Sequence, residues 1–207
     1  MVGAGTVEIM SPAFQQQIDE RILDRAAALF ARRGFAKTSV QAVADAVGLS
    51  KAGLLHHYPS KYALLGALLD RSRALTQEVL DEVGSLPVGA ARDRLVIEIL
   101  VDQALPRPGM VAFLLSFVTT LPAEELEPGL DLDLIDTGVF AAFGADKSGS
   151  AQERLIRITG AVAALSILAL TTPRAGQTTT WRSHVVAASF DALGHSAGSG
   201  QSAGNGR

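Results

Sequence analysis

Hydrophobic positions along the chain recur at helical spacing in almost every segment, and few windows alternate as a β-strand would. From about Phe14 to Arg33, apolar residues repeat every three or four positions, and Gly34 follows at a typical helix stop. A short second helix is predicted between Ser39 and Gly48. These patterns predict helix rather than strand.

Two more helices follow, again marked by capping residues. Ser50 caps a third helix that ends before Pro59, and Ser60 caps a long fourth helix that runs toward Val83. Prolines and glycines then divide the remaining chain into helical segments of about 12–20 residues. We therefore predict an all-α fold, with a three-helix head joined by a long helix to a helical body.

Composition and spacing divide the chain into four parts. We expect a flexible arm over residues 1–15, the head over 16–76, the body over 77–193 and a tail over 194–207. The tail contains five glycines and three serines, a composition that predicts disorder.

The overall composition narrows the class of protein. Of 207 residues, 48% are hydrophobic, enough for a sizeable core. The absence of cysteine excludes disulfide scaffolds, cysteine-ligated zinc fingers, iron–sulfur clusters and thiol nucleophiles. No secretory signal is visible, and the longest apolar run, Ile158–Leu170, is shorter than a bilayer requires. We therefore expect a cytoplasmic protein without a membrane partner.

The net charge of −3 conceals an asymmetry along the chain. Residues 1–75 carry nine Lys and Arg against six Asp and Glu, whereas residues 76–207 carry nine against fifteen. A basic N-terminal third on an acidic body suggests that one end faces a polyanion, although ordinary surface scatter remains an alternative.

The stretch from Val40 to His57 fits a helix-turn-helix over about residues 39–58. Ala44 is small where two helices must cross closely, and Gly48 accepts the left-handed backbone of a tight turn. Ser50 caps the second of these helices and directs its first N–H groups outward, where they could meet a phosphate. The predicted exposed face of that helix carries Lys51, Ala52, Leu55, His56 and His57. Any helical hairpin with a glycine turn gives a similar pattern, so the motif alone leaves both interpretations open.

The surrounding residues favour DNA binding. The run from Arg21 to Leu69 resembles the DNA-binding domain of the tetracycline-repressor (TetR) family of transcriptional regulators. The matching segments are the Leu-Phe…Gly-Phe end of the first helix, Thr38–Val40, Ala44–Lys51 and His56–Lys61. The resemblance implies a variable C-terminal domain for ligand binding and dimerisation. It also implies a homodimer on a palindromic double-stranded DNA operator, commonly a repressor that an unknown small-molecule inducer releases.

The resemblance also assigns roles to individual residues. Thr38, Ser39 and Lys61 match phosphate-contacting positions, whereas Lys51, Ala52 and Leu55 match positions that face the bases. Gly53 allows close approach of the backbone, and His56, His57 and Tyr58 match an aromatic and histidine cluster. Many members carry Tyr where this chain has Leu55, which puts the operator sequence in doubt. Leu55 could instead belong to the core, Tyr58 is better explained by packing, and adjacent His56 and His57 cannot share a face.

The body contains candidates for the two other functions of such a regulator. The small-residue helix Glu153–Leu170 and the helix Trp181–Leu193 are suited to a dimer interface, with packing within one protomer as the alternative. The predicted interface residues are Leu155, Ile158, Val162, Leu165, Trp181, Val185 and Phe190. The predicted pocket residues, equally compatible with an ordinary core, are Met110, Phe113, Leu114, Phe117, Thr120, Asp136, Phe140 and Phe143.

Two other function classes fit the sequence less well. A di-metal helical enzyme needs Glu-x-x-His pairs, and a nucleotide-binding enzyme needs a P-loop or a Gly-x-Gly-x-x-Gly motif; neither occurs. Gly-x-Ser-x-Gly, the motif of acyl-transfer enzymes, occurs at residues 194–198 and 200–204, within the tail that is predicted to be disordered and not between a strand and a helix. A ligand-blind architectural DNA-binding protein would carry positive charge over most of its length, unlike the acidic body here. We therefore expect no catalytic residue, no metal and no cofactor.

Overall fold

Four helices and their capping residues form the N-terminal part of the chain. The computed structural model describes residues 12–119, 133–146, 148–171 and 178–195. Helix α1 spans Pro12–Arg33, α2 Val40–Val47, α3 Lys51–His57 and α4 Lys61–Val83. Because α1 begins at Pro12, the predicted arm is helical over its last four residues; residues 1–11 lie outside the described part.

Serine caps fix the beginnings of three of these helices. The hydroxyl oxygens of Ser39, Ser50 and Ser60 accept hydrogen bonds from the backbone N–H groups of Ala42, Gly53 and Ala63, at 3.1, 3.0 and 3.0 Å. Each bond satisfies a donor that the first helical turn leaves without a partner. The predicted caps are therefore confirmed.

Five further helices form the rest of the described chain. Helix α5 spans Ala90–Ala104, α6 Pro108–Thr119, α7 Asp133–Ala142, α8 Gln152–Thr171 and α9 Thr178–Ala192. The described residues contain no β-strand. The predicted all-α fold is therefore confirmed.

The first hydrophobic core joins the head to one helix of the body. Ile22, Leu54 and Leu68, from α1, α3 and α4, are buried together with Met110 and Phe113 of α6. The ring centroids of Phe30 and Phe113 lie 6.3 Å apart. Helix α6 therefore packs as part of the head, although it follows the head by some 30 residues in sequence.

Helix α6 begins directly against α1. A Cβ at buried Gly109 would collide with the backbone carbonyl oxygen of Asp24, so this approach requires glycine. The Asp24 carboxylate accepts a hydrogen bond from the Met110 N–H at 3.0 Å. The α1–α6 contact thus combines close packing with a hydrogen bond at the helix start.

The second core holds the C-terminal half of α4 and helices α5, α7, α8 and α9. Its fully buried members include Val83, Ile97, Phe143, Ile158 and Val185. Because α4 contributes to both cores, it connects the head and the body.

A buried carboxylate ties the C-terminal end of the described chain to this core. Asp93 is 1% exposed and accepts two hydrogen bonds from Arg154, at 2.7 and 2.8 Å. Nε2 of His195 lies 2.7 Å from Oδ2 of Asp93, and the His195 ring stacks on the Phe190 ring. These contacts hold His195 against the body core, so the predicted disorder does not apply to this residue. Residues 196–207 of the predicted tail lie outside the described part.

Helix α8 is more extensive than the apolar run that the sequence suggested. By length and composition alone, its 20 residues could cross a membrane, with a mean hydropathy of 1.6 over the 18-residue window. The expectation that no stretch is long enough is therefore wrong. The finding is weak support for a membrane span, because a core helix passes the same test.

Candidate nucleic-acid interface

Helices α2 and α3 pack around a left-handed turn. Gly48 has φ 75° and ψ 27°, and its N–H bonds back to the carbonyl oxygens of Ala44 and Asp45. Val43, Ala44 and Leu54 are buried between the helices and α1. This arrangement is the predicted helix-turn-helix, and it fixes which side of α3 faces outward.

The outward side of α3 presents donors and small apolar groups. Lys51, Ala52 and His56 are exposed, and Leu55 is partly exposed rather than fully buried. Within the described part of the chain, the Lys51 ammonium has no ion-pair partner. An ammonium group beside methyl groups can contact base edges and thymine methyls in a major groove.

The two histidines at the end of α3 point in different directions. His56 is exposed, whereas the His57 side chain is 14% exposed and its Nδ1 lies 2.8 Å from Oδ1 of Asp19 on α1. The expectation that they occupy different faces is confirmed. Asp19 was missed from the sequence, because 38 residues separate it from His57 and no local pattern connects them.

Tyr58 packs against the head core, as the packing interpretation predicts. Burial, with smaller contributions from the charges of Asp19 and Glu20, raises the pKa of Tyr58 to about 12. Tyr58 therefore remains a neutral phenol at physiological pH.

Lys61 ties the start of α4 to the turn before α2. Its ammonium donates to the carbonyl oxygens of Phe35 and Ala36, at 2.8 and 3.4 Å, and lies 4.2 Å from the centroid of the Phe35 ring. An ammonium has three N–H donors, so one more remains for a phosphate.

The two residues before α2 differ from each other. Ser39 is exposed at the helix start, but Thr38 is 1% exposed and its hydroxyl donates to the Gly34 carbonyl at 2.8 Å. The buried side chain of Thr38 therefore cannot reach a phosphate from this position, and we correct its assignment to a structural one.

Basic side chains next to this surface were not assigned individually from the sequence. Arg32 and Arg33 in the last turn of α1 and Lys37 in the following turn are exposed. The excess of basic residues over residues 1–75 was the signal for them. They extend the positive charge that a DNA backbone would meet.

Comparisons with known proteins agree with this geometry. Residues 22–68 match the family described as "Bacterial regulatory proteins, tetR family". The HTH-type transcriptional repressor KstR2 of Rhodococcus jostii (strain RHA1) is 32% identical over 83 residues, which are 40% of this chain and 39% of KstR2. The nucleoid occlusion factor SlmA of Pasteurella multocida (strain Pm70) is 32% identical over 91 residues, or 42% of this chain and 44% of SlmA.

The fold is also similar to a solved structure along most of its length. The TetR family transcriptional regulator PfmR from Thermus thermophilus superposes with a TM-score of 0.53 and 21% identity, over 86% of this chain and 99% of PfmR. The head of this chain, over residues 22–68, therefore matches the TetR family. The sequence matches to KstR2 and SlmA span about two fifths of those proteins, so they concern mainly the TetR head.

The structure divides the predicted pocket residues of the body between the two hydrophobic cores. Met110, Phe113 and Leu114 pack in the head core, whereas Phe140 and Phe143 pack in the body core. These five side chains are therefore divided between two clusters, and their assignment to one ligand pocket stays a prediction. The side chains of Phe117 and Asp136, and all of Thr120, lie outside the described part.

The predicted dimer residues of α8 and α9 lie on the sides of these helices that face the core of the protomer. Ile158, Leu165 and Val185 are buried in the core of the protomer, and the other four pack against it. The protomer itself covers Ile158, Leu165 and Val185, so their dimer assignment is wrong. The assignment of the four partly buried residues stays a prediction. The opposite face of α8 carries Ile156, Gly160, Ala163, Ile167 and Leu170, all exposed.

An ion-paired carboxylate lies between the head and α6. Glu20 on α1 accepts from Arg71 of α4 at 2.7 Å and from Arg107, just before α6, at 2.9 Å. Burial raises the pKa of Glu20, but the hydrogen bonds and charges of Arg107 and Arg71 outweigh it and lower the pKa below 4.5. Glu20 therefore connects three elements through its negative charge.

Proposed function

We propose that this protein is a TetR-family transcriptional repressor that binds a palindromic operator as a homodimer and leaves it when a small molecule binds the body. The exposed α3 face of Lys51, Ala52, Leu55 and His56, flanked by Ser39 and Lys61, carries the proposal. The description of KstR2 as a repressor supports repression of transcription rather than activation. The protein would act in the cytoplasm, where its DNA is.

In this proposal, the residues at the interface divide between two tasks. Lys51, Ala52 and Leu55 read base edges, whereas Ser39, Lys61 and the exposed basic residues at the end of α1 contact phosphates. Phosphate contacts set affinity and register, and base contacts set the preferred sequence. His56 is the histidine that reaches the DNA directly.

The exposed face of α8 supports dimerisation through a revised set of residues. Ile156 is 63% exposed and Ile167 is 51% exposed, on one stripe with Gly160 and Ala163. On neighbouring α9, Ala187 and Ala188 are also exposed. Small residues allow helices of two protomers to approach closely, and the isoleucines supply apolar area that a partner would cover.

The inducer signal would pass through α6, because α6 is the body helix that packs in the head core. A ligand that displaced α6 would disturb the contacts of Met110 and Phe113 with the head and the Glu20 ion pairs. The spacing between the two α3 helices of the dimer would change as a result. The two helices would then no longer fit two successive major grooves of the operator.

The direct test is selection of duplexes of about 30 base pairs from random-sequence DNA with the full-length chain, long enough for two half-sites one helical turn apart. We expect enrichment of a palindrome, called the selected duplex below. Recovery of no sequence, together with no binding to any duplex at low salt, would contradict the proposal.

Two lysine variants test the division of tasks. We expect Lys61→Ala to weaken binding to the selected duplex and to a random duplex about equally, by roughly tenfold, and to reduce the salt slope by about one. Lys51→Ala should weaken mainly the selected duplex, because a base contact is worth about 1–3 kcal/mol. Fluorescence anisotropy over a salt series measures both. Equal losses for Lys51→Ala on the two duplexes would rule out its role as a base reader.

Light scattering tests the dimer. We expect Ile167→Glu to convert the dimer to a monomer, because a buried charge without a partner costs several kcal/mol. Ala74→Glu, on the exposed side of α4, is the matched control and should remain dimeric. A dimeric Ile167→Glu variant would show that another surface forms the interface.

The similarity to SlmA favours a second candidate, a DNA-binding protein that acts on nucleoid organisation without an inducer. The two candidates differ in where they bind. A repressor occupies few promoter-proximal sites, whereas a nucleoid-associated factor occupies many sites along the chromosome. Sequencing of fragments bound in cells distinguishes them.

A further inference from the structure

The outward side of α3 is a narrow face of four side chains. With about 3.6 residues per turn, these side chains follow one another around the helix within about 140°. In that order they are Lys51, Leu55, Ala52 and His56. The seven residues of α3 rise about 10 Å, and stacked bases lie about 3.4 Å apart. The face can therefore meet about three base pairs in a major groove.

Leu55 belongs to this face rather than to the head core. Its side chain is partly exposed. Among the described residues, the head core and the side chains packed against it include Leu54 and Tyr58 on either side, but not Leu55. The methyl groups of Leu55 and Ala52 are therefore the apolar surface that α3 offers to a groove. The apolar group that the major groove offers in return is the C5-methyl of thymine.

The polar chemistry of this face is mainly that of a hydrogen-bond donor. The Lys51 ammonium has three N–H donors and no acceptor. The sequence of α3 contains no Asp, Glu, Asn or Gln. Carboxylates accept from the amino group of cytosine, and amides bind adenine through two hydrogen bonds, so α3 lacks the side chains for both. The imidazole of His56 donates or accepts according to its tautomer and therefore assigns no base.

Acceptor groups next to α3 are already used within the protein. The hydroxyl oxygen of Ser50 accepts from the N–H of Gly53 at 3.0 Å. On α2, the Gln41 amide donates to the Asp45 carboxylate at 2.7 Å, which orients this amide toward its neighbour on the same helix. The α3 face is therefore left with donors and methyl groups.

We propose that each half-site of the operator presents a guanine to Lys51 and, within the same three or so base pairs, a thymine whose C5-methyl contacts Leu55 and Ala52. This inference rests on the proposed function and names the bases that its site reads. Guanine carries two acceptors in the major groove, O6 and N7, which a lysine can bond together. Adenine and cytosine occupy these two positions only as the pairing partners of thymine and guanine.

The experiment places base analogues in the selected duplex and measures binding of the full chain by fluorescence anisotropy. Deoxyuridine in place of thymidine removes the C5-methyl, and 7-deazaguanine in place of guanine removes the N7 acceptor. Each thymidine and each guanosine of one half-site is replaced in turn. We expect one deoxyuridine to weaken wild-type binding about fourfold, as for one exposed methyl group. One 7-deazaguanine should weaken it about tenfold, as for one hydrogen bond lost by a charged donor.

Two variants connect each base to its side chain. In Leu55→Ala, that deoxyuridine should cost less than about twofold, because the methyl group has already lost most of its contact. In Lys51→Met, which keeps an unbranched side chain without a donor, that 7-deazaguanine should cost nothing further. Lys61→Ala is the matched control: it removes an ammonium assigned to a phosphate, so it should weaken every duplex and keep both analogue effects. Thermal unfolding verifies that each variant is folded.

Three results would overturn the inference. They are a selected half-site in which no deoxyuridine weakens wild-type binding, an equal deoxyuridine loss in Leu55→Ala and wild type, or a 7-deazaguanine loss that persists in Lys51→Met. Each of them leaves the proposed function standing, because a palindrome has then been selected and bound. Absence of any selected or bound duplex is instead the failure of the proposed function, and the inference falls with it.

Discussion

Ser189 on α9 is completely buried, and its hydroxyl is the buried side-chain polar group without a hydrogen-bond partner among the described residues. A buried hydroxyl without a partner costs free energy that a methyl group does not. We expect Ser189→Ala to raise the free energy of unfolding by up to about 1 kcal/mol. Urea denaturation measures this change. Ser85→Ala, at an exposed turn, should leave stability within about 0.5 kcal/mol of wild type.

Single side chains also show where sequence reasoning reaches its limit. The exposure of Lys51 and His56 follows from helical spacing next to a recognised glycine turn. The inward orientation of His57 and the burial of Thr38 do not, because both depend on partners brought together by folding: Asp19 for the first, the end of α1 for the second. Such contacts leave no periodic signal.

At the scale of elements, the turn between α2 and α3 depends on Gly48. A Cβ there would meet no atom within 4 Å, so the cost of Gly48→Ala comes from the left-handed backbone alone. We expect a loss of about 1 kcal/mol in the free energy of unfolding, and weaker DNA binding if the turn relaxes. Gly66→Ala is the control: it lies within α4 with open space around it, and should stabilise by about 0.5–1 kcal/mol. Equal effects of the two substitutions would show that the turn is not strained for alanine.

Helix α8 shows why a helix can be predicted from the sequence while its buried face cannot. The sequence shows two stripes, one of larger apolar residues that includes Ile158 and Leu165, and one of mixed size with Ile156, Gly160 and Ile167. Periodicity predicts the helix and both stripes, but it does not reveal which stripe the protomer covers. The packing of α9 and α5 against α8 decides that, and such packing is a property of the assembled body.

At the scale of the whole molecule, Glu20 links α1, α4 and the start of α6. Its pKa is lowered in the folded protein, so its stabilising contribution is present above about pH 4.5 and is lost as the pH falls through the lowered value. We expect Glu20→Gln to unfold at lower denaturant concentration than wild type at pH 7. The difference should shrink as the pH is lowered toward 3.

Urea denaturation at pH 7, 5, 4 and 3 measures this dependence. Glu98→Gln is the comparison, because Glu98 pairs with Arg94 within one turn of α5. A surface pair of this kind contributes little to stability. If the difference in the free energy of unfolding between wild type and Glu20→Gln stayed constant down to pH 3, the stabilising role of the Glu20 ion pairs would be contradicted.

The position of α6 limits how the protein can be cut or recombined. Met110 and Phe113 complete the apolar interior that α1, α3 and α4 begin. A fragment ending near residue 76 would leave the matching surface of α1 open to water. A chimeric protein that takes its head from this chain should therefore also take residues 107–116.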